Sequence, residues 1–207
     1  MSKIITISRE FGSGGRELGK RLAETLGVAY YDREIITAIA KRSNLAEEYV
    51  ESVSEKGIGT SYPFTFGRTF SLHAGTNPVQ MTVLIEQHKI MRELAQKGDC
   101  IVVGRCGDVV LKDYHPLNLF IYADMDSKLK RCLSRQSPDE QLTAAALKKQ
   151  IAKVDRQRAK YREVITPVKW GDKSAYHLCL NTSGFSVKAL IPTVLAFQAV
   201  YFERGLL

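Results

Sequence analysis

The sequence predicts an α/β fold with a mostly parallel sheet covered on both faces. Two observations predict it. Short β-branched runs alternate with amphipathic stretches of helical period along the whole chain. A glycine cluster also joins the first such run to the first such stretch. Ile4, Ile5 and Ile7 form a short buried strand, Gly12, Gly14 and Gly15 follow, and Leu18, Leu22 and Leu26 then recur at helical spacing. Strand, glycine-rich turn and helix in that order direct backbone N–H groups and the positive end of a helix at one spot, which suits phosphate oxygens.

The remaining elements follow in turn. Residues 28–31 (VAYY) read as a second strand ending at Asp32, and Ile35, Ile36, Ile39 and Ala40 predict a helix from about Arg33. A short glutamate-rich helix is expected over residues 45–55. Residues 57–78 form the one long irregular segment, with Phe64, Phe66 and Phe70 among glycines, threonines and prolines. A functional loop, or a hairpin covering the sheet edge or a subunit contact, are equally open readings of it, the last allowing a homo-oligomer. Residues 79–97 predict a helix with Met81, Leu84, Met91 and Leu94 near one face and Gly98 as its stop. Residues 100–103 (CIVV) read as a buried strand ending in Gly104-Arg105, and residues 118–123 as the next. A helix from about 126 to 134 follows, with Arg131 and Arg135. Residues 140–168 read as largely helical up to Thr166-Pro167, residues 176–180 as the last strand, and residues 186–202 as a final helix containing Pro192. Without repeats, low-complexity stretches or linkers, residues 1–207 are expected to form a single domain.

At 207 residues, with 44% hydrophobic and 25% charged side chains, the chain can bury a proper core. No apolar run approaches the roughly 18 residues that span a bilayer. Lys3, a short apolar strand and then Arg9 and Glu10 do not read as a signal peptide. Cys100, Cys106, Cys132 and Cys179 lack metal spacing and read as buried reduced thiols, so a cytoplasmic location is expected. The net charge of +8 fits nucleic acid or small polyphosphates. Arginines placed singly at element ends, with no basic tail, favour small nucleotides over nucleic acid. The four histidines show no ligand spacing.

The common phosphate loop, G-x-x-x-x-G-K-[ST], uses a lysine on the phosphates and a hydroxyl on magnesium. Here Gly15 is in phase with the lysine, and Arg16 and Glu17 follow. Gly12, Ser13, Gly14, Gly15, Arg16 and Glu17 are therefore the candidate phosphate-binding residues. Arg16 opposes the helix dipole, which suggests an anionic ligand, or it faces solvent beside Glu17. Ser13 donates to phosphate or satisfies the turn. Glu17 is a metal ligand or a first-turn acid. Asp32 binds ligand at a strand's C-terminal end or caps the next helix. Arg105 and Asp108 lie just past another strand's end, where an arginine can meet a phosphate. Trp170 stacks on a base or packs in the core.

Three segments resemble the cytidylate kinase-like family, a branch of the P-loop nucleoside monophosphate kinases: residues 7–36 (ISREFGSGGRELGKRLAETLGVAYYDREII), 101–111 (IVVGRCGDVVL) and 155–186 (DRQRAKYREVITPVKWGDKSAYHLCLNTSGFS). The resemblance implies a three-layer P-loop NTPase fold with a five-stranded parallel sheet. It also implies an arginine-rich helical lid over about residues 139–172. ATP with Mg²⁺ is then expected as cofactor and phosphoryl donor, and a nucleoside monophosphate, best CMP or dCMP, as acceptor. Arg16, Arg158 and Arg162 are the expected catalytic residues. Asp32, Arg105, Asp108 and Arg156 are expected at the acceptor, and Glu17 at the metal. The chain departs from ordinary cytidylate kinases in lacking the loop's lysine and hydroxyl, and in having Cys106 where an aspartate follows Gly-Arg. Either Gly15 replaces the lysine, or one inserted residue puts Arg16 in its place. The alternative function is a nucleotide-binding sensor with weak or lost transfer. In the lid, Leu147, Ile151, Val154, Arg158, Tyr161 and Ile165 form one stripe, and Asp155 can pair structurally with Arg158.

Overall fold

Ile4 and Ile5 put apolar side chains on opposite faces of the first strand, so both faces have to be covered. In the computed structural model, which describes residues 2–47, 50, 53, 78–136 and 142–203, strand β1 (Ile4–Arg9) is buried along its entire length. It pairs with β3 (Cys100–Val103) on one side and β4 (Leu117–Tyr122) on the other. The outer strands β2 (Ala29–Tyr31) and β5 (Leu178–Asn181) complete a fully parallel sheet of order β2-β3-β1-β4-β5.

Alternation along the strands divides the core in two. Ile4 and Val102 face helices α2 (Glu34–Ser43) and α3 (Pro78–Gln96). Ile5, Ile7, Ile101 and Val103 face α1 (Gly15–Leu26) and α7 (Val187–Glu203). This gives the expected three layers. Parallel pairing brings the C-terminal ends of all the strands to one edge, where α1, α4 (Gly107–Val110), α5 (Met125–Leu133) and α6 (Ala144–Ile165) gather.

Several boundaries differ from the sequence reading for local reasons. α6 starts where Thr143 Oγ1 accepts from Ala146 N–H (3.2 Å). It ends at Ile165 because Pro167 holds Thr166 extended, at φ −153°. α7 continues through Pro192 to Glu203. Of the residues expected on the core face of α3, Leu84 and Met91 are buried but Met81 is 41% exposed, and Val83 and Ile90 are buried in addition. α4 has no counterpart in the sequence reading. The subunit contact expected over residues 57–78 falls, apart from Pro78, outside the described residues. So does most of the helix expected over 45–55, of which Val50 and Val53 are buried. Among the described residues no helix is long and apolar enough to cross a membrane.

α1 lies close to the sheet because Gly19 has no side chain. A β-carbon there would lie 3.0 Å from Val103 Cγ2, 3.1 Å from Ile7 Cδ1 and 3.2 Å from Tyr30 Cε2. Gly19→Leu is therefore predicted to destabilise the fold by about 2 kcal/mol through overpacking. The urea midpoint should fall with an unchanged m-value. An unchanged midpoint would mean that α1 has room to move off the sheet.

Candidate functional site

β1 delivers the chain at Arg9 into a tight turn, and α1 begins at Gly15. The turn needs Gly14: its φ is +86°, and a β-carbon would sit 2.6 Å from Val187 Cγ2. The carbonyl side of the loop is tied to neighbouring elements. Thr182 Oγ1 donates to the Ser13 carbonyl (2.7 Å), and Arg131 Nη1 donates to that of Gly12 (3.5 Å). A planar trans peptide turns its N–H opposite to its C=O, so Gly14 N–H faces away from Thr182. Among the described residues the amides of Gly12, Gly14, Gly15 and Arg16 donate to no protein acceptor, and that of Ser13 makes only a long bond to Glu10 (3.4 Å). Gly12, Gly14, Gly15 and Arg16 line a cavity of about 450 Å³ that Arg131 from α5, Gln150 and Arg158 from α6 and Arg135 just past α5 also line. Backbone donors, a helix N-terminus and arginines around one space form an anion site.

Beside it is a smaller recess of about 30 Å³, lined by Ser8, Arg9, Arg105, Cys106, Arg158, Arg162 and Trp170. That is room for about one water. Its floor is strained. Gly104, Arg105 and Cys106 all have positive φ, at 79°, 58° and 50°, which for a non-glycine residue costs of order 1–3 kcal/mol. The Cys106 thiol is pushed up to about 12 by burial and is neutral at physiological pH. Trp170 packs edge-on against Phe120, with centroids 5.4 Å apart.

Several charges buried at this edge meet opposite charges within the protein, which offsets the cost of burial. Asp32 Oδ2 lies 2.5 Å from Arg16 Nε, and its Oδ1 3.6 Å from Arg9 Nη2. Lys128, only 5% exposed, bridges Glu10 (2.6 Å) and Asp155 (3.2 Å) beneath the loop. Phe11 N–H donates to Asp155 Oδ1 (2.6 Å), and Arg158 Nη1 to the Arg9 carbonyl (3.0 Å), so α6 is fastened to the loop at two points. Burial raises the Asp155 pKa, against the bonds from Phe11 and Lys128. Arg162, 2% exposed, meets Asp108 at 2.7 Å and donates to the Val168 carbonyl (3.0 Å).

These contacts decide between several sequence alternatives. Ser13 Oγ donates to the Glu10 carbonyl (2.8 Å) and so satisfies the turn. α2 has no side-chain cap, and Asp32 instead faces two arginines. Arg16 pairs with Asp32 rather than with Glu17. Glu17 accepts from Arg21 (2.8 Å) and from Arg135, and these bonds lower its pKa against the opposing effect of burial. Both Glu17 oxygens are thus engaged by arginine. Among the described residues no three His, Cys, Asp or Glu side chains converge on a metal position. Asp108 and Arg162 meet each other, while Arg156 is exposed and lines neither cavity. Arg9, Glu10 and Lys128 were not singled out as site residues. A signal for Arg9 was present: it stands at the first glycine of G-x-x-x-x-G-K, with Gly15 at the lysine.

Comparison with known proteins bears on the same features. A model of the cytidylate kinase-like family matches residues 4–184. A cytidylate kinase of Streptococcus pneumoniae (strain 70585) is 24% identical over 219 aligned positions, covering 93% of this chain and 95% of that protein. A solved structure of an uncharacterized protein from Eubacterium ventriosum ATCC 27560 superposes with a TM-score of 0.67 at 24% identity, covering 95% and 98% of the two chains. Shikimate kinase from Bacteroides thetaiotaomicron gives 0.55 at 14% identity, with coverages of 95% and 98%. A gluconokinase from Sinorhizobium meliloti 1021 gives 0.52 at 14%, with 98% and 97%. These likenesses establish the P-loop kinase fold.

The Arg162–Asp108 pair carries its own prediction. Asp108→Ala leaves a buried guanidinium unmatched and should cost about 3 kcal/mol or more. Asp108→Ala combined with Arg162→Met removes both charges and should recover most of that loss in a denaturant titration. A cost below about 1 kcal/mol for the single change would show that the pair is solvated.

Proposed function

The chain belongs to the cytidylate kinase-like family, and from that premise we propose that it transfers the γ-phosphoryl group of ATP to a nucleoside monophosphate, CMP or dCMP in first place. The observation that carries this reading is the pairing of two anion-suited spaces on one sheet edge. Gly12, Gly14, Gly15 and Arg16 line one, and Arg105 lines the other. In this reading the loop takes the ATP phosphates and Arg105 the phosphate of the acceptor. Four arginines line the recess: Arg9, Arg105, Arg158 and Arg162. Asp108 answers Arg162, Asp32 is shared between Arg9 and Arg16, and Asp155 lies 3.9 Å from Arg158. Arginines brought to one recess from β1, the end of β3 and α6 suit an acceptor bearing a phosphate better than an uncharged polyol. The choice of cytidylate leans on the S. pneumoniae relative.

Phosphoryl transfer of this kind needs positioning and charge neutralisation rather than a covalent intermediate. Loop amides and arginines supply both from this chain. Mg²⁺, when bound together with ATP, would add charge neutralisation on the phosphates. The recess is too small for a nucleotide as it stands, so acceptor entry displaces α6 and the segment after it. This is the lid motion proposed for residues 139–172, of which 139–141 lie outside the described residues. Arg158 is the lid residue set to meet the phosphates, Arg162 anchors the helix, and Arg156 faces solvent. Cys100 and Cys106 are buried, whereas Cys132 and Cys179, also expected to be buried, are only partly so; a reducing, cytoplasmic setting is proposed for all four as free thiols. Gly15 in place of the lysine favours a second reading, a nucleotide sensor with slow transfer.

A coupled ADP-release assay with ATP, Mg²⁺ and a panel of monophosphates tests the proposal. Turnover should be fastest with CMP or dCMP. Arg105→Ala should lower kcat/KM by about 100-fold or more with the fold intact. ADP release with only hydroxyl acceptors such as gluconate or shikimate would overturn the acceptor class. Nucleotide binding with no turnover on any acceptor would favour the sensor.

A further inference from the structure

The geometry points to Arg9 as the cation that stands in for the missing loop lysine, contacting the phosphoryl group between donor and acceptor. This rests on the kinase reading and adds a residue to that site. The route of the side chain is the first observation. A β-carbon at Gly15 would lie 2.5 Å from Arg9 Cβ and 3.1 Å from Arg9 Cγ, so no side chain fits at position 15 while Arg9 holds its place. At the far end, a β-carbon at Gly104 would lie 1.7 Å from Arg9 Nη1 and 2.8 Å from Arg9 Cζ. The side chain thus runs from beneath the phosphate loop to the end of β3 through space that two glycines leave open. In the common loop motif the first position is glycine and the seventh lysine. Here the first is Arg9 and the seventh Gly15, so the cation and the gap have changed places.

The second observation is where the guanidinium ends. Arg9 and Arg158 are the two residues common to the linings of the large cavity and the recess. A phosphoryl group passing from one space to the other crosses that boundary. Asp32 lies 3.6 Å from Arg9 Nη2, longer than a hydrogen bond, and holds the guanidinium in place electrostatically. Arg158 donates to the Arg9 carbonyl at 3.0 Å, which ties the two boundary arginines together. A planar fork at this position can bond two oxygens of one phosphate, whereas a lysine offers a point charge.

Arg9→Met, Arg9→Lys and the exchange variant Arg9→Gly/Gly15→Lys test the assignment, each checked for folding by circular dichroism. ATP affinity is read by equilibrium dialysis and turnover by ADP release. If the wild type turns over, Arg9→Met should lose about 100-fold or more in kcat. Arg9→Lys should lose less, and the exchange variant should regain a large part. Turnover of Arg9→Met within about threefold of wild type overturns the assignment and leaves the kinase reading standing. If the wild type shows no turnover, the kinase reading fails by itself and ATP affinity decides the contact. A loss of about tenfold or more in Arg9→Met supports it, and unchanged affinity overturns it. Should the variants not fold, the wild-type Arg9 Nε–H resonance answers: it should shift on adding a non-hydrolysable ATP analogue, and a static resonance overturns the contact.

Discussion

Arg9 stands at the end of the central strand only 8% exposed, and its buried charge constrains the groups around it. A charge so far from water has to be answered by protein or ligand. Asp32, at the end of β2, answers it from one side and is itself held by Arg16. The body of the side chain needs room at the start of α1 and at the end of β3, and Gly15 and Gly104 provide it. The strained Arg105-Cys106 turn follows directly on the second of these gaps. The loop, two strand ends and the first helical turn thus share one constraint.

α6 is held to this edge by groups with separate tasks. Asp155 accepts from the loop backbone and from Lys128, which also pairs with Glu10. Arg158 reaches the loop at Arg9, while Arg162, one turn further, is spent on Asp108 in α4. Adjacent arginines on one helix therefore differ in kind: one borders both cavities, and the other joins two helices. α6 is thus joined both to the phosphate loop and to α4.

Much of the fold was legible because it is periodic. Ile4, Ile5 and Ile7 place apolar side chains on both faces of their strand, residues 100–103 are apolar in succession, and the glycine cluster marked the loop. Met81 was misplaced because one helical stripe can be drawn through residues 81–94 in more than one phase. Gln87, buried against Tyr161 (2.6 Å), interrupts any purely apolar stripe. The site was legible in its anion-binding backbone but not in its ion pairs. Pairs such as Arg162–Asp108, 54 residues apart, depend on which elements meet at the sheet edge, and spacing along one helix cannot reveal them. Arg9 escaped notice because it belongs to a strand, where a charge reads as an ending rather than as a ligand.

The central claim is that residues 12–16 form the phosphate cradle and Arg9 supplies the charge that the lysine would bring. A crystal structure with a non-hydrolysable ATP analogue tests it most directly. The account predicts β- and γ-phosphate oxygens on the amides of Gly12, Gly14, Gly15 and Arg16, with the Arg9 guanidinium within hydrogen-bond distance of the γ-phosphate. Phosphates bound away from those amides, or an Arg9 that keeps only its protein contacts while the γ-phosphate meets another cation, would contradict it.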